Sequence, residues 1–208
     1  MIHPLLVVTA VAAEADAVRA GADPGHVVVE PVGVGPAAAA AGTARLLATG
    51  RYRAVISAGI AGGFVGRAPV GATVLGARSI AADLGAESPE GFLPIEELGF
   101  GVSQFAADPL LLKALTAALP QAIAGDVLTL ATVTGTAATA GALATRFPHA
   151  VAEAMEGFGV ATAAAGLPFA ELRTISNPIG PRDRAAWRLK DAFAALSTAS
   201  AALWTACG

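Results

Sequence analysis

Short runs of valine, leucine and isoleucine alternate along the chain with longer runs of alanine, and that alternation lays out its elements. Apolar-rich, β-favouring runs at 5–11, 27–32, 54–58, 72–80, 127–133, 150–154 and 169–175 are mostly bounded by glycine, proline or polar residues, the pattern of buried strands. Helix-forming stretches fall between them: 12–21, 36–47, 109–119, 139–146, a small-residue segment after Gly157, and a closing helix over 184–206. Strands that alternate with helices predict an α/β fold. Residues 82–100 are acidic, broken by proline and glycine, and too long for a plain connection. They read either as a locally packed surface loop or as a cover for a pocket, in their own subunit or across a dimer, through Phe92, Leu93 and Pro94.

Composition narrows the function classes. The 208 residues carry 55% hydrophobic and 14% charged side chains with a formal charge of -3, and lysine occurs only at Lys113 and Lys190. Nothing there forms the basic patch that neutralising phosphates requires, so no nucleic-acid partner is expected. The apolar run at the start is too short to span a bilayer, has no preceding lysine or arginine, and is followed by Glu14 and Asp16, so it reads as a buried strand. One cysteine, Cys207, allows neither an internal disulfide nor a cysteine metal cage, and a cytoplasmic enzyme without metal is the expectation. His3, His26 and His149 are scattered and read as surface or satisfied histidines.

The chemistry-bearing positions cluster where strands end. Glu156 follows the run 150–154 and Asn177 follows 169–175, and the carboxyl ends of strands are where α/β sheets bind ligands. Glu14 falls in the turn after the first strand, where it either favours a helix N-terminus or serves as a base. Glu156 carries the same two readings. Gly33-Val34-Gly35-Pro36-Ala37-Ala38 has the outline of a dinucleotide loop, but the next strand ends in Ser57-Ala58-Gly59 and not in the acidic residue that would take a ribose. Gly59-Ile60-Ala61-Gly62-Gly63 reads as a loop whose glycines allow close approach and positive φ. Trp187 and Trp204 read as core anchors.

Met155-Glu156-Gly157 followed by Arg173-Thr174-Ile175-Ser176-Asn177 resembles the signature of the purine nucleoside phosphorylase and nucleosidase superfamily. The longer forms, residues 153–161 and 176–183, are similar to its futalosine hydrolase branch. The resemblance implies a single catalytic domain over 1–208, a three-layer sandwich with a central mixed, twisted sheet flanked by helices, and no cofactor. It implies a nucleoside substrate and water as partners, a homo-oligomer, and a place in the futalosine route of menaquinone biosynthesis. Site roles follow from it residue by residue: Glu14 activates water, Met155 and Glu156 hold the ribose, and Asn177, beside Ser176, reads the base. Ile60, Ala61 and Gly62 pass the purine with their main chain, and Arg182 is placed for a carboxylate on the 5′ side. Asn in place of the aspartate of adenosine-type relatives suits a 6-oxopurine, because its NH2 donates to O6 and N7. No aromatic stands at Ala138, where adenine-specific relatives stack the base, which leaves Phe158 and Phe105 as substitutes. Ala37 lacks a phosphate-binding hydroxyl, which favours hydrolysis over phosphorolysis. A phosphorylase and a non-catalytic nucleoside sensor are the competing readings.

Overall fold

The computed structural model describes residues 3–207. In chain order the elements are β1 (Leu5–Thr9), α1 (Ala12–Gly21), β2 (Val27–Pro31), α2 (Pro36–Thr49), β3 (Ala54–Gly63), β4 (Thr73–Ala81), β5 (Gly85–Ser88) and β6 (Gly91–Pro94). They continue with β7 (Gln104–Ala106), α3 (Pro109–Ala118), β8 (Ile123–Thr129), α4 (Ala137–Arg146), β9 (Ala150–Ala154), α5 (Gly157–Ala163), β10 (Phe169–Pro178), α6 (Leu189–Ser200) and α7 (Ala202–Cys207).

Eight strands form one mixed sheet flanked by helices. β1 lies between β2 and β3, parallel to both, and all five of its residues are buried, as a strand covered on both faces must be. Beyond β3 the sheet curls: β10 pairs parallel with β3, β4 antiparallel with β10, β8 parallel with β4, β9 parallel with β8, and β9 returns antiparallel to β3 through Gly62↔Glu153 and Gly63↔Ala152. This closure brings the ends of β3, β9 and β10 side by side. Helix starts follow local chemistry. Asp108 caps α3 by accepting from the N–H groups of Leu110 and Leu111, Thr136 caps α4 by accepting from Thr139, and Pro36 opens α2 after Gly35 at φ 89°.

Four expectations about elements are corrected. The glycine run 59–63 is not a loop: β3 continues through Gly63, paired with β10, and Gly59, Gly62 and Gly63 are not among the positive-φ residues. Glycine is needed there for close packing, since a Cβ on Gly63 would strike the carbonyl oxygen of Ala68. Residues 82–100 contain the hairpin β5–β6, whose strands pair from Gly85↔Pro94 to Ser88↔Gly91. The expected strand at 127–133 begins and ends four residues earlier, because Ile123, Ala124 and Gly125 pair with β4. The closing helix is broken into a 3₁₀ turn at Arg184–Ala186, then α6 and α7.

Candidate active site

A cavity of about 350 Å³ opens where β3, β9 and β10 end, a size typical of small-molecule sites. Glu14, Ile60, Ala61, Gly62, Met155 and Glu156 line it, together with Ser176, Asn177 and Arg182, so every site residue expected from the sequence is brought to one place.

Glu14 lies not in the turn but in the first turn of α1, at the third helical position. One carboxylate oxygen accepts from the N–H of Ala10 at 2.9 Å and of Val11 at 3.3 Å, and the other from Ile60 at 2.9 Å. It is both a helix-start carboxylate and a cavity residue. A Cβ on Gly59 would stand 2.5 Å from its Oε1 and 2.9 Å from a terminal nitrogen of Arg173, so the missing side chain there is what lets the two groups approach. Burial raises the Glu14 pKa above its ordinary value, outweighing Arg173 and the Ile60 N–H, which lower it.

Glu156 stands at the N-cap of α5, but its side chain does not cap that helix. Its carboxylate accepts from Gly35 N–H at 3.2 Å, from its neighbour Met155 N–H at 3.3 Å, and from Arg173 at 3.3 Å. The glycine loop before α2 therefore donates to a protein carboxylate. Arg173, fully buried, is the hub. Its guanidinium also donates to Glu171 at 2.9 Å and to Ser57 Oγ at 3.0 Å. Burial alone would lower its pKa, but Glu171, Glu156 and Glu14 together raise it, so it remains a fixed cation. Glu171 is fully buried, accepts from Ser79 Oγ, and has its pKa raised by burial against the pull of Arg173 and Ser79. Three carboxylates thus share one guanidinium.

Asn177 is still within β10 and only half-buried. Its Oδ1 accepts from Ser176 Oγ at 2.8 Å and its Nδ2 donates to Pro178 O at 2.9 Å, which leaves one N–H for a ligand.

Phe158 and Phe105 do not line the cavity: they pack on each other with centroids 5.4 Å apart. Trp187, expected in the core, lines it instead, with Arg182 at 5.6 Å over its ring. Trp204 is half-buried and stacks on His26 at 3.8 Å. Phe92 lies under Arg146 at 4.1 Å, and neither it, Leu93 nor Pro94 lines the cavity within this chain. Sequence reasoning also passed over Glu153, a buried carboxylate of the cavity wall whose signal is a lone charge in the otherwise apolar strand Ala150–Ala154. Among the described residues no group of three or more His, Cys, Asp or Glu side chains is placed to hold a metal, and no helix is long and apolar enough to cross a membrane.

A mixed α/β sheet with carboxylates and an amide gathered around one cavity at its strand ends has the layout of an α/β enzyme site. The chain belongs to the phosphorylase superfamily, whose family model matches residues 12–207, and within it to the futalosine hydrolases. It is 52% identical to the futalosine hydrolase of Streptomyces coelicolor over 221 residues, covering 94% of this chain and 92% of that one. The futalosine hydrolase of Acidothermus cellulolyticus is 47% identical, covering 93% and 90%. Among solved structures, the 5′-methylthioadenosine/S-adenosylhomocysteine nucleosidase of Neisseria meningitidis, in complex with methylthio-immucillin-A, superposes with a TM-score of 0.84 at 20% identity, covering 98% and 99%. The native futalosine hydrolase of Helicobacter pylori superposes with a TM-score of 0.79 at 17% identity, covering 99% and 97%. These two likenesses establish the fold.

Proposed function

We propose that the chain is an N-glycosyl hydrolase that cleaves futalosine with water, releasing hypoxanthine and dehypoxanthine futalosine, in the futalosine route of menaquinone biosynthesis. The observation that carries this is the convergence of Glu14, Glu156 and Asn177 on one cavity.

As the C1′–N9 bond stretches, positive charge grows on the ribose and negative charge on the purine, and groups that meet those charges lower the barrier. Glu156, aimed by Arg173 and two N–H groups, accepts the 2′ and 3′ hydroxyls and holds carboxylate charge near the developing cation. Met155 packs under the sugar. Asn177 donates its free N–H to the departing base. Water attacks C1′, its proton passes to Glu14, and the electrons of the C1′–N9 bond leave with the purine, which takes up a proton to become neutral hypoxanthine. A carboxylate with a raised pKa is a stronger proton acceptor once ionised, which suits Glu14 to that step.

Two features favour water over phosphate. Among the described residues that line the cavity Arg182 is the one cation, and Ala37 is exposed and does not line it. Incubation with futalosine should release hypoxanthine at the same rate with and without inorganic phosphate. A strict phosphate requirement would make it a phosphorylase, and tight binding without release would make it a sensor.

Arg182 and Trp187 suit the 5′ benzoate of futalosine: the indole offers a flat apolar face and the guanidinium a partner for the carboxylate. A charge-assisted bond at a half-open site predicts that Arg182→Ala raises KM for futalosine about tenfold and leaves KM for inosine, which has no benzoate, where it was. Equal changes for both substrates, or none, would remove Arg182 from the site. The same reading takes the enzyme as one catalytic unit over 1–208, working in the cytoplasm as a homo-oligomer without a cofactor.

A further inference from the structure

The mechanism leaves Glu153 without a task, although it is a buried carboxylate in the cavity wall. Thr134 holds it from the side: its N–H donates to Oε1 at 2.7 Å and its hydroxyl donates to Oε2. A carboxylate oxygen that has accepted one hydrogen bond still has a lone pair, so Glu153 is oriented but not exhausted.

Its position follows from the closure of the sheet. Glu153 is paired with Gly62, and Gly62 is paired with Asn177 across β3 and β10, so the three residues form one rung. Directly paired residues point to the same face, and a Cβ on Gly62 would lie 3.6 Å from Asn177 Nδ2, which places the Asn177 amide on that face. Two strand spacings of roughly 4.8 Å separate the outer members of the rung. Ile179 covers Gly62 between them, its Cγ2 2.6 Å from where a Cβ would be. An apolar surface is thus flanked by an amide on one side and a carboxylate on the other, the arrangement a flat heterocycle with polar edges requires.

We propose that Glu153 is the specificity-determining residue for the base, accepting the ring N–H at position 1 of a 6-oxopurine while Asn177 donates to its O6 and N7 side. This rests on the purine-nucleoside reading of the cavity. A 6-oxopurine presents an N–H beside a carbonyl; a 6-aminopurine presents a bare nitrogen beside an NH2. Asn177 alone leaves N1 unread, because Ser176 and Pro178 hold its amide and only one N–H is free for the O6 and N7 side. Glu153 does read it: burial raises its pKa, but Thr134 donates to both of its oxygens and favours the carboxylate, which can only accept. Facing the bare N1 of adenine, Glu153 would set acceptor against acceptor in a desolvated site, and such sites reject the mismatched ligand by large factors.

The test has two arms. Calorimetry on the unmodified enzyme compares hypoxanthine, 1-methylhypoxanthine and adenine; the methyl group removes the one donor that Glu153 reads. Hypoxanthine should bind at least about 10²-fold tighter than either of the others. In the second arm kcat/KM is measured for futalosine and its 6-amino analogue in the unmodified enzyme and in Glu153→Gln, whose amide can keep the Thr134 bonds and also donate to N1. The ratio favouring futalosine should fall at least about tenfold, with turnover of the 6-amino analogue rising. If 1-methylhypoxanthine binds as well as hypoxanthine, or if Glu153→Gln slows both substrates alike, Glu153 only braces Thr134 and the proposal is wrong. If the unmodified enzyme cleaves neither nucleoside, the hydrolase reading fails separately, and the binding arm still decides the role of Glu153.

Discussion

A Glu14→Gln enzyme is expected to lose about 10²–10⁴-fold in kcat on futalosine with KM little changed, the mark of a group that acts in the transition state and not in ground-state binding. Gln has the size of Glu but cannot take the proton from water. The substitution has a structural cost, because the N–H groups of Ala10 and Val11 point at one carboxylate oxygen and that of Ile60 at the other. An NH2 on either side meets a donor, which costs about 1–3 kcal/mol of stability. Binding of hypoxanthine to the variant therefore has to be measured beside the rate, to show that the cavity persists. A variant that binds hypoxanthine and turns over at the unmodified rate would exclude Glu14 as the base. Retained binding with a rate lowered as expected would separate the enzyme from a sensor, for which the substitution is silent.

What was legible in the sequence was local. Residues 150–154 read as a strand because they are apolar and short, and the structure gives that strand with the same limits. The positions of Glu156 and Asn177 follow from where strands stop, which the run lengths encode. The glycines of 59–63 were misread because glycine suits both a turn and a tightly packed strand, and only the partner strand β10 decides between them. The hairpin in 82–100 is too short to carry a period, and it forms because its own two strands meet. Trp187 was assigned to the core and Glu153 passed over for a related reason: an aromatic residue and a carboxylate owe their surroundings to distant segments. Closure of β9 onto β3 turns Glu153 from an odd charge in a core strand into a cavity wall, and no spacing along the chain reports that closure.

The same long-range logic makes Arg173 the residue whose loss should matter most to the fold. Arg173→Leu fills part of the space but leaves Glu156 and Glu171 without their cation, along with the Coulomb attraction that lowers the Glu14 pKa. Removing one partner from a buried ion pair costs about 3–5 kcal/mol, a large share of a domain's stability. Acid should restore part of the loss. In the unmodified protein Glu14 and Glu171 already have folded-state pKa values above the ordinary 4.5, so the folded form holds protons that the unfolded chain has released. Their contribution is fully present below 4.5 and is lost as the pH rises through the folded values. Without Arg173 those values rise further, so the variant's stability should fall more steeply with pH across a window that extends higher. Urea denaturation of both proteins at several pH values reads this directly. Arg173→Lys, which keeps the charge but not the fork that reaches Glu171, Glu156 and Ser57 at once, should fall between them. An Arg173→Leu protein as stable as the original, with the same pH dependence, would mean that the carboxylates do not depend on this cation, and the account of how Glu156 is aimed at the ribose would fall with it.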